Sequence, residues 1–133
     1  MPLAYRQVIM VNALAIRDTT AHTPATEATN IPIDVHQYES VIIKINNTCD
    51  QIVRVQIFGN IGVSGQTIEA AALLVPSRVG APIDCQASDS EIRIASKFDL
   101  SLTPLIYAQC TALVTPASGS ITITADCLGP QTI

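Results

Sequence analysis

The chain has 133 residues, a formal net charge of -4, and only 14% charged residues against 48% hydrophobic ones. That length suits one domain able to bury about two thirds of the surface its unfolded chain exposes. Seven Lys and Arg residues scattered through an acidic chain exclude an electrostatic grip on nucleic acid, and no apolar run is long enough to cross a bilayer as a helix.

With so few charges, the surface must be coated by Thr, Ser, Gln and Asn. Such a coat suits a protein that lies against neighbours, because fewer charges have to be desolvated at the contact. The first residues, MPLAYRQVIMVNALAIRD, make a poor signal peptide, since Arg6 is the only early basic residue and Asn12 interrupts the apolar run. The chain is expected to be made and assembled without export.

Arg6 to Ile16, RQVIMVNALAI, is apolar on both alternating phases, which predicts a strand covered on both faces. RDTTAHTPATEATNIP follows, a Thr-rich stretch with Pro24 and Pro32 that is too long for a tight connection and reads as a tether. Residues 1–38 are therefore expected to form an N-terminal arm and tether, and residues 39–133 the folded domain. An apolar strand so tethered packs on its own domain or crosses to a neighbour. Val8, Ile9, Met10, Val11, Leu14 and Ile16 are the candidate partner-binding residues of that arm.

His22 lies in the tether and His36 just after it, in DVHQYE. Alternation puts Asp34 and His36 on one side and Glu39 on the other, so these residues read as a solvated strand edge rather than a metal site. From Val41 the phase is clear: Val41, Ile43 and Ile45 point inward, Lys44 and Asn46 outward. NNTCDQ supplies turn residues, and the return strand places Val53, Val55 and Ile57 inward with Arg54 and Gln56 outward, which predicts a β-hairpin. The sequon Asn46–Thr48 is read as turn chemistry.

Glu69 to Leu74 has helix-forming residues, but the following Val75-Pro76 favours a short strand ending there. APIDCQA and SEIRIAS read as short strands, the latter with Ile92 and Ile94 inward and Glu91 and Arg93 outward. Asp84, Asp89 and Glu91 lack the glycine turn and ligand spacing of a calcium loop. PLIYAQCTALV is a longer strand, TPASGS a turn, and GSITITADC a last strand with Ile121, Ile123, Ala125 and Cys127 inward and Ser120, Thr122, Thr124 and Asp126 outward.

The four cysteines, Cys49, Cys85, Cys110 and Cys127, have no C-x-x-C spacing and no close His, so zinc is not expected. Cys85, Cys110 and Cys127 fall on the inward phase as small buried hydrophobes, a disulfide being the alternative for a chain that matures outside the cytosol. Cys110 and Cys127 are expected side by side on adjacent antiparallel strands, and Cys49, in a turn, is expected to be exposed. No nucleophile elbow, phosphate loop or metalloprotease motif is present, so neither an enzyme nor a cofactor is expected.

Short alternating strands without a persuasive long helix predict an all-β fold, an antiparallel β-sandwich or jelly roll, with an open barrel as the alternative. VIIKINNTCDQIVRVQIFGN together with the terminal ASGSITITADC resembles small β-sandwich structural proteins of tailed bacteriophages, in particular capsid decoration (cement) proteins and head-fibre or minor virion proteins. That resemblance implies a jelly roll that binds an assembled shell in the virion. It further implies a homotrimer, assembled in the host cytoplasm, that binds the major capsid protein or another virion protein and whose arm reaches an adjacent subunit. The alternatives are a filament subunit that donates its N-terminal strand and a carbohydrate-binding or adhesin module, the latter marked by aromatics on a concave face.

Overall fold

The computed structural model describes residues 4–24, 26–27, 29–34, 38, 40–60, 77–78, 81–96 and 105–129. Its strands are β1 (Ala4–Leu14), β2 (Ile33–Asp34), β3 (Ser40–Asn47), β4 (Val53–Asn60), β5 (Ser77–Arg78), β6 (Ile83–Cys85), β7 (Asp89–Ser96), β8 (Leu105–Ala112) and β9 (Ile121–Gly129). They form two antiparallel sheets, one in the order β1-β9-β3-β7 and the other β2-β8-β4-β5, with β6 also pairing with β4.

The ladders have a simple origin. Ala4 pairs with Gly129, Ile33 with Ile106, Ser40 with Ser96, and Phe58 with Arg78, so the partners nest around the segment between Asn60 and Ser77. The chain is one long antiparallel hairpin, rolled so that β3 also meets β9 and β4 also meets β8. Along β4, β6 covers Val53–Val55 and β5 covers Phe58–Gly59, so the two act as one interrupted strand. Eight strand positions in two sheets wound this way are a jelly roll, as the resemblance implies.

Alternation places the core as expected. Val41, Ile43, Ile45, Val53, Val55, Ile57, Ile121, Ile123 and Ala125 are buried between the sheets. Each fully buried Val or Ile contributes about 1.5–3 kcal/mol relative to exposure.

Several expectations are corrected by the way the strands are shared out. β3 and β4 do not pair with each other: the NNTCDQ corner carries the chain from one sheet to the other. A polar turn between two alternating strands has the same composition whether it closes a hairpin or spans two sheets, because alternation encodes a face and not a partner. Cys110 and Cys127 are both buried, but they lie in opposite sheets, with Cys110 facing Val55 and Cys127 facing Val41. Ile92 is 67% exposed, not inward. It stands directly across from outward-facing Lys44, and antiparallel partners share a face.

β1 is an edge strand, covered on one face only: Gln7 and Ile9, which stand across from outward-facing Asp126 and Thr124, are exposed. Its two-phase apolar pattern has another cause. The register shifts between Ile9 and Val11, and again between Val11 and Leu14, so an extra residue rotates the strand and both Met10 and Val11 point into the core. Residues 67–76, where a short strand was expected, lie outside the described residues.

Candidate functional site

Within the single chain, four of the six arm residues belong to its own core: Met10, Val11, Leu14 and Ile16 are buried, and Val8 packs against them. Ile9 alone among them is turned outward, 48% exposed.

The Thr-rich stretch after β1 is a strap across the open side of the sandwich. Asn30 bridges to Val11, and the Ile31 amide donates to the Met10 carbonyl at 2.9 Å, which ties the strap to β1. On the other side, His22 and Cys110 exchange two backbone hydrogen bonds, of 2.8 and 3.0 Å. The Asn30 side-chain amide also donates to the Ala108 carbonyl at 2.9 Å. Through His22, Asn30 and Ile31 the strap thus joins β1 of one sheet to β8 of the other, with Asn30 buried at the seam.

The strap is held at its start by a charged cluster. The His22 ring is buried, with Nδ1 2.5 Å from Glu27 Oε1 and Nε2 2.8 Å from Asp18 Oδ1. Burial opposes its charge, but the hydrogen bonds that its ring donates to the Glu27 and Asp18 carboxylates outweigh burial and raise its pKa. Asp18 is correspondingly lowered, first by the hydrogen bond from His22 and then by Thr20. A histidine whose two nitrogens are occupied by carboxylates of its own strap is a fastener rather than a base open to a substrate. The side chains of Asp34, His36 and Glu39 lie outside the described residues.

One pole of the molecule is a cluster of corners bonded to one another. The Asn47 Nδ2 lies 3.0–3.2 Å from the carbonyls of Gln51, Cys85 and Gln86, and its Oδ1 accepts from the Cys49 amide at 3.0 Å. Thr48 and Ser120 are joined by three hydrogen bonds, Ser88 donates to the Cys49 carbonyl, and the Ala117 amide donates to Asp50. Arg17 brings the start of the strap to the Gly119 carbonyl at 2.9 Å. Cys49 is consequently fully buried rather than exposed, its corner being bonded to the segments around Ser88, Ala117 and Ser120. Burial raises the thiols of Cys49 and Cys85, pushes Cys110 up to about 12 and Cys127 up to about 11.

The outer face of the second sheet carries a groove of about 290 Å³ lined by Arg54, Gln56, Phe58, Pro82, Gln109, Thr111 and Leu113. Its charges are already matched: Arg54 Nε and Nη2 reach the two Asp84 oxygens at 2.7 and 3.1 Å, holding that carboxyl below its usual range. Phe58 stacks on buried Tyr107 with centroids 5.5 Å apart, so one aromatic, not a platform, faces the groove. Among the described residues no three His, Cys, Asp or Glu side chains are placed to hold a metal ion.

No protein-family model matches the sequence, and neither does any curated protein. Solved structures do match the fold. The SPBc2 prophage-derived protein YomS is similar over 97% of this chain and 96% of its own length, with a TM-score of 0.52 at 8% identity. VP2 of infectious bursal disease virus, in its subviral particle, is similar over 96% of this chain with a TM-score of 0.51 at 7% identity. This chain spans 33% of that VP2 chain. These two neighbours are a prophage-derived protein and a viral capsid protein, in line with the resemblance read from the strands and turns. At such identities the likeness is one of fold: two antiparallel sheets in a jelly roll.

Sequence reasoning missed the residues that close the structure, namely His22, Asn30, Asn47 and Arg17. Asn47 sits in a recognisable turn motif, but the carbonyls it serves at Cys85 and Gln86 are far away in sequence. No local signal marks them.

Proposed function

We propose that the chain is a non-enzymatic virion structural protein, and within that class a capsid decoration protein that binds an assembled shell in several copies. The observation that carries this reading is a jelly roll similar over nearly the full length of a prophage-derived protein and also to one third of a viral capsid protein. The chain's chemistry supports it. His22 is fastened to carboxylates of its own strap, the four thiols are buried, and the Arg54 that lines the groove is held in an internal ion pair.

Binding would proceed by burial of charge-poor sheet surface, at about 25 cal/mol per Å² of apolar area. Several copies acting together would multiply a weak contact through effective concentration. Of the six arm residues, Ile9 is the one available to a partner without opening the sandwich.

The test is to follow an epitope-tagged chain through production of the virus that encodes it. Particles are separated on a density gradient and immunogold-labelled. The tagged chain should band with intact particles and label their outer surface. A chain that stays with unassembled protein, or is labelled only after particles are broken open, would overturn the decoration reading.

A further inference from the structure

The outer face of the β1-β9-β3-β7 sheet has an order that its fold does not require. Register aligns Ile9, Thr124, Lys44 and Ile92 in one row across the four strands. The two ends of the row are exposed isoleucines, Ile9 at 48% and Ile92 at 67%. In the neighbouring row Gln7, Asp126 and Ile42 stand side by side, and half-buried Leu128 lies beyond Asp126 on the same face.

Charge on this face is already neutralised. Lys44 Nζ lies 2.5 Å from Asp126 Oδ2, and the Gln7 amide donates to Asp126 Oδ1 at 2.9 Å. Asp126 is only 6% exposed. Its carboxylate has therefore left most of its water behind already, so covering the face adds little further desolvation.

We propose that this face is the contact between two copies of the chain, packed sheet against sheet about a two-fold axis that runs along the strands between β9 and β3. That axis lays β1 of one copy over β7 of the other. Each Ile9 then meets Ile92 of the second copy, and each Lys44 meets Thr124 of the second copy. Isoleucine meets isoleucine twice, and no lysine faces a lysine. An interface that matches itself in this way is what a two-fold contact demands, and near-parallel strands are the common way for two sheets to pack.

The size is sufficient. Four strands about 4.8 Å apart and eight residues rising about 3.3 Å each give a face of roughly 500 Å². Two such faces bury about 1,000 Å², the lower bound for a specific interface. The pair deepens the proposed function, resting on its premise that the chain acts in several copies, and takes the place of the trimer implied by the resemblance.

The experiment is light scattering on the purified full chain at about 100 µM, with Ile9→Lys, Ile92→Glu and the double variant. Circular dichroism checks that each variant is folded. The wild-type chain should have twice the mass of the 14.1 kDa protomer. Either single variant should fall to one protomer, and the double variant should recover the pair, because the introduced lysine then faces the introduced glutamate of the other copy. A monomeric wild type, a trimer, or single variants that keep the doubled mass would overturn the inference. Particle labelling reports separately: a monomeric chain that still coats particles removes this contact and leaves the decoration reading standing, while a dimer that never bands with particles does the reverse.

Discussion

Gly119 adopts φ 87°, with the Thr48 carbonyl occupying the place where a Cβ would be built. The close approach is what lets Thr48 and Ser120 bond across the corner. Gly119→Ala should cost about 3 kcal/mol, from left-handed strain together with the clash, and chemical denaturation will read it as a shift in midpoint. His22 makes a different prediction. Its pKa is raised in the folded chain, so its contribution is fully present below the unfolded value near 6.5 and is lost as pH rises through the folded pKa. Exchange of the amides of His22 and Cys110 should therefore quicken, beyond the ordinary base-catalysed rise, as pH climbs above the unfolded value and through the raised folded one. His22→Gln should remove that extra step, and an identical pH profile in the variant would show that the ring does not fasten the strap.

The strap and β1 act together at the scale of elements. β1 covers the edge of β9 and supplies Met10, Val11 and Leu14 to the core, and Ile16 adds to it just before the strap sets out for β8. Deletion of residues up to Asn30 should consequently uncover both a sheet edge and a strip of core. The product should aggregate or lose its cooperative melt by circular dichroism. A truncated chain that melts like the full-length one would mean that β1 is dispensable to its own sandwich, as an arm given to a neighbour would be. The legibility of these elements was uneven. Strand β9 was read correctly down to its inward residues, because Ile121, Ile123, Ala125 and Cys127 alternate without interruption. β1 was recognised as a strand but misread in its covering, because its bulges put Met10 and Val11 on the same side.

At the scale of the molecule, the nested ladders pair residues far apart in sequence: Ala4 pairs with Gly129. Loop closure on that scale has to precede most of the stabilising contacts. Refolding should be slow for a chain of this size, on the order of milliseconds to seconds or longer, and stopped-flow tyrosine fluorescence after dilution from denaturant measures it. A microsecond phase accounting for the whole signal would contradict the rolled-hairpin topology.

Alternation, turn residues and the shortage of charge were enough to determine an all-β chain, its main strands and most of its inward side chains, since each of these is set by neighbours two residues apart. The same signals led to a hairpin at Asn46–Gln51, to an inward Ile92 and to an exposed Cys49, and tertiary structure decided otherwise in all three cases. Which strands share a sheet depends on how the long hairpin rolls, and that roll is set by burial over the whole molecule. The strap's anchors depend on it too, because His22 finds Cys110, and Asn30 finds Val11 and Ala108, only after both sheets are in place. Period-two alternation tells a side chain which face to take, and carries no record of which strand will lie beside it.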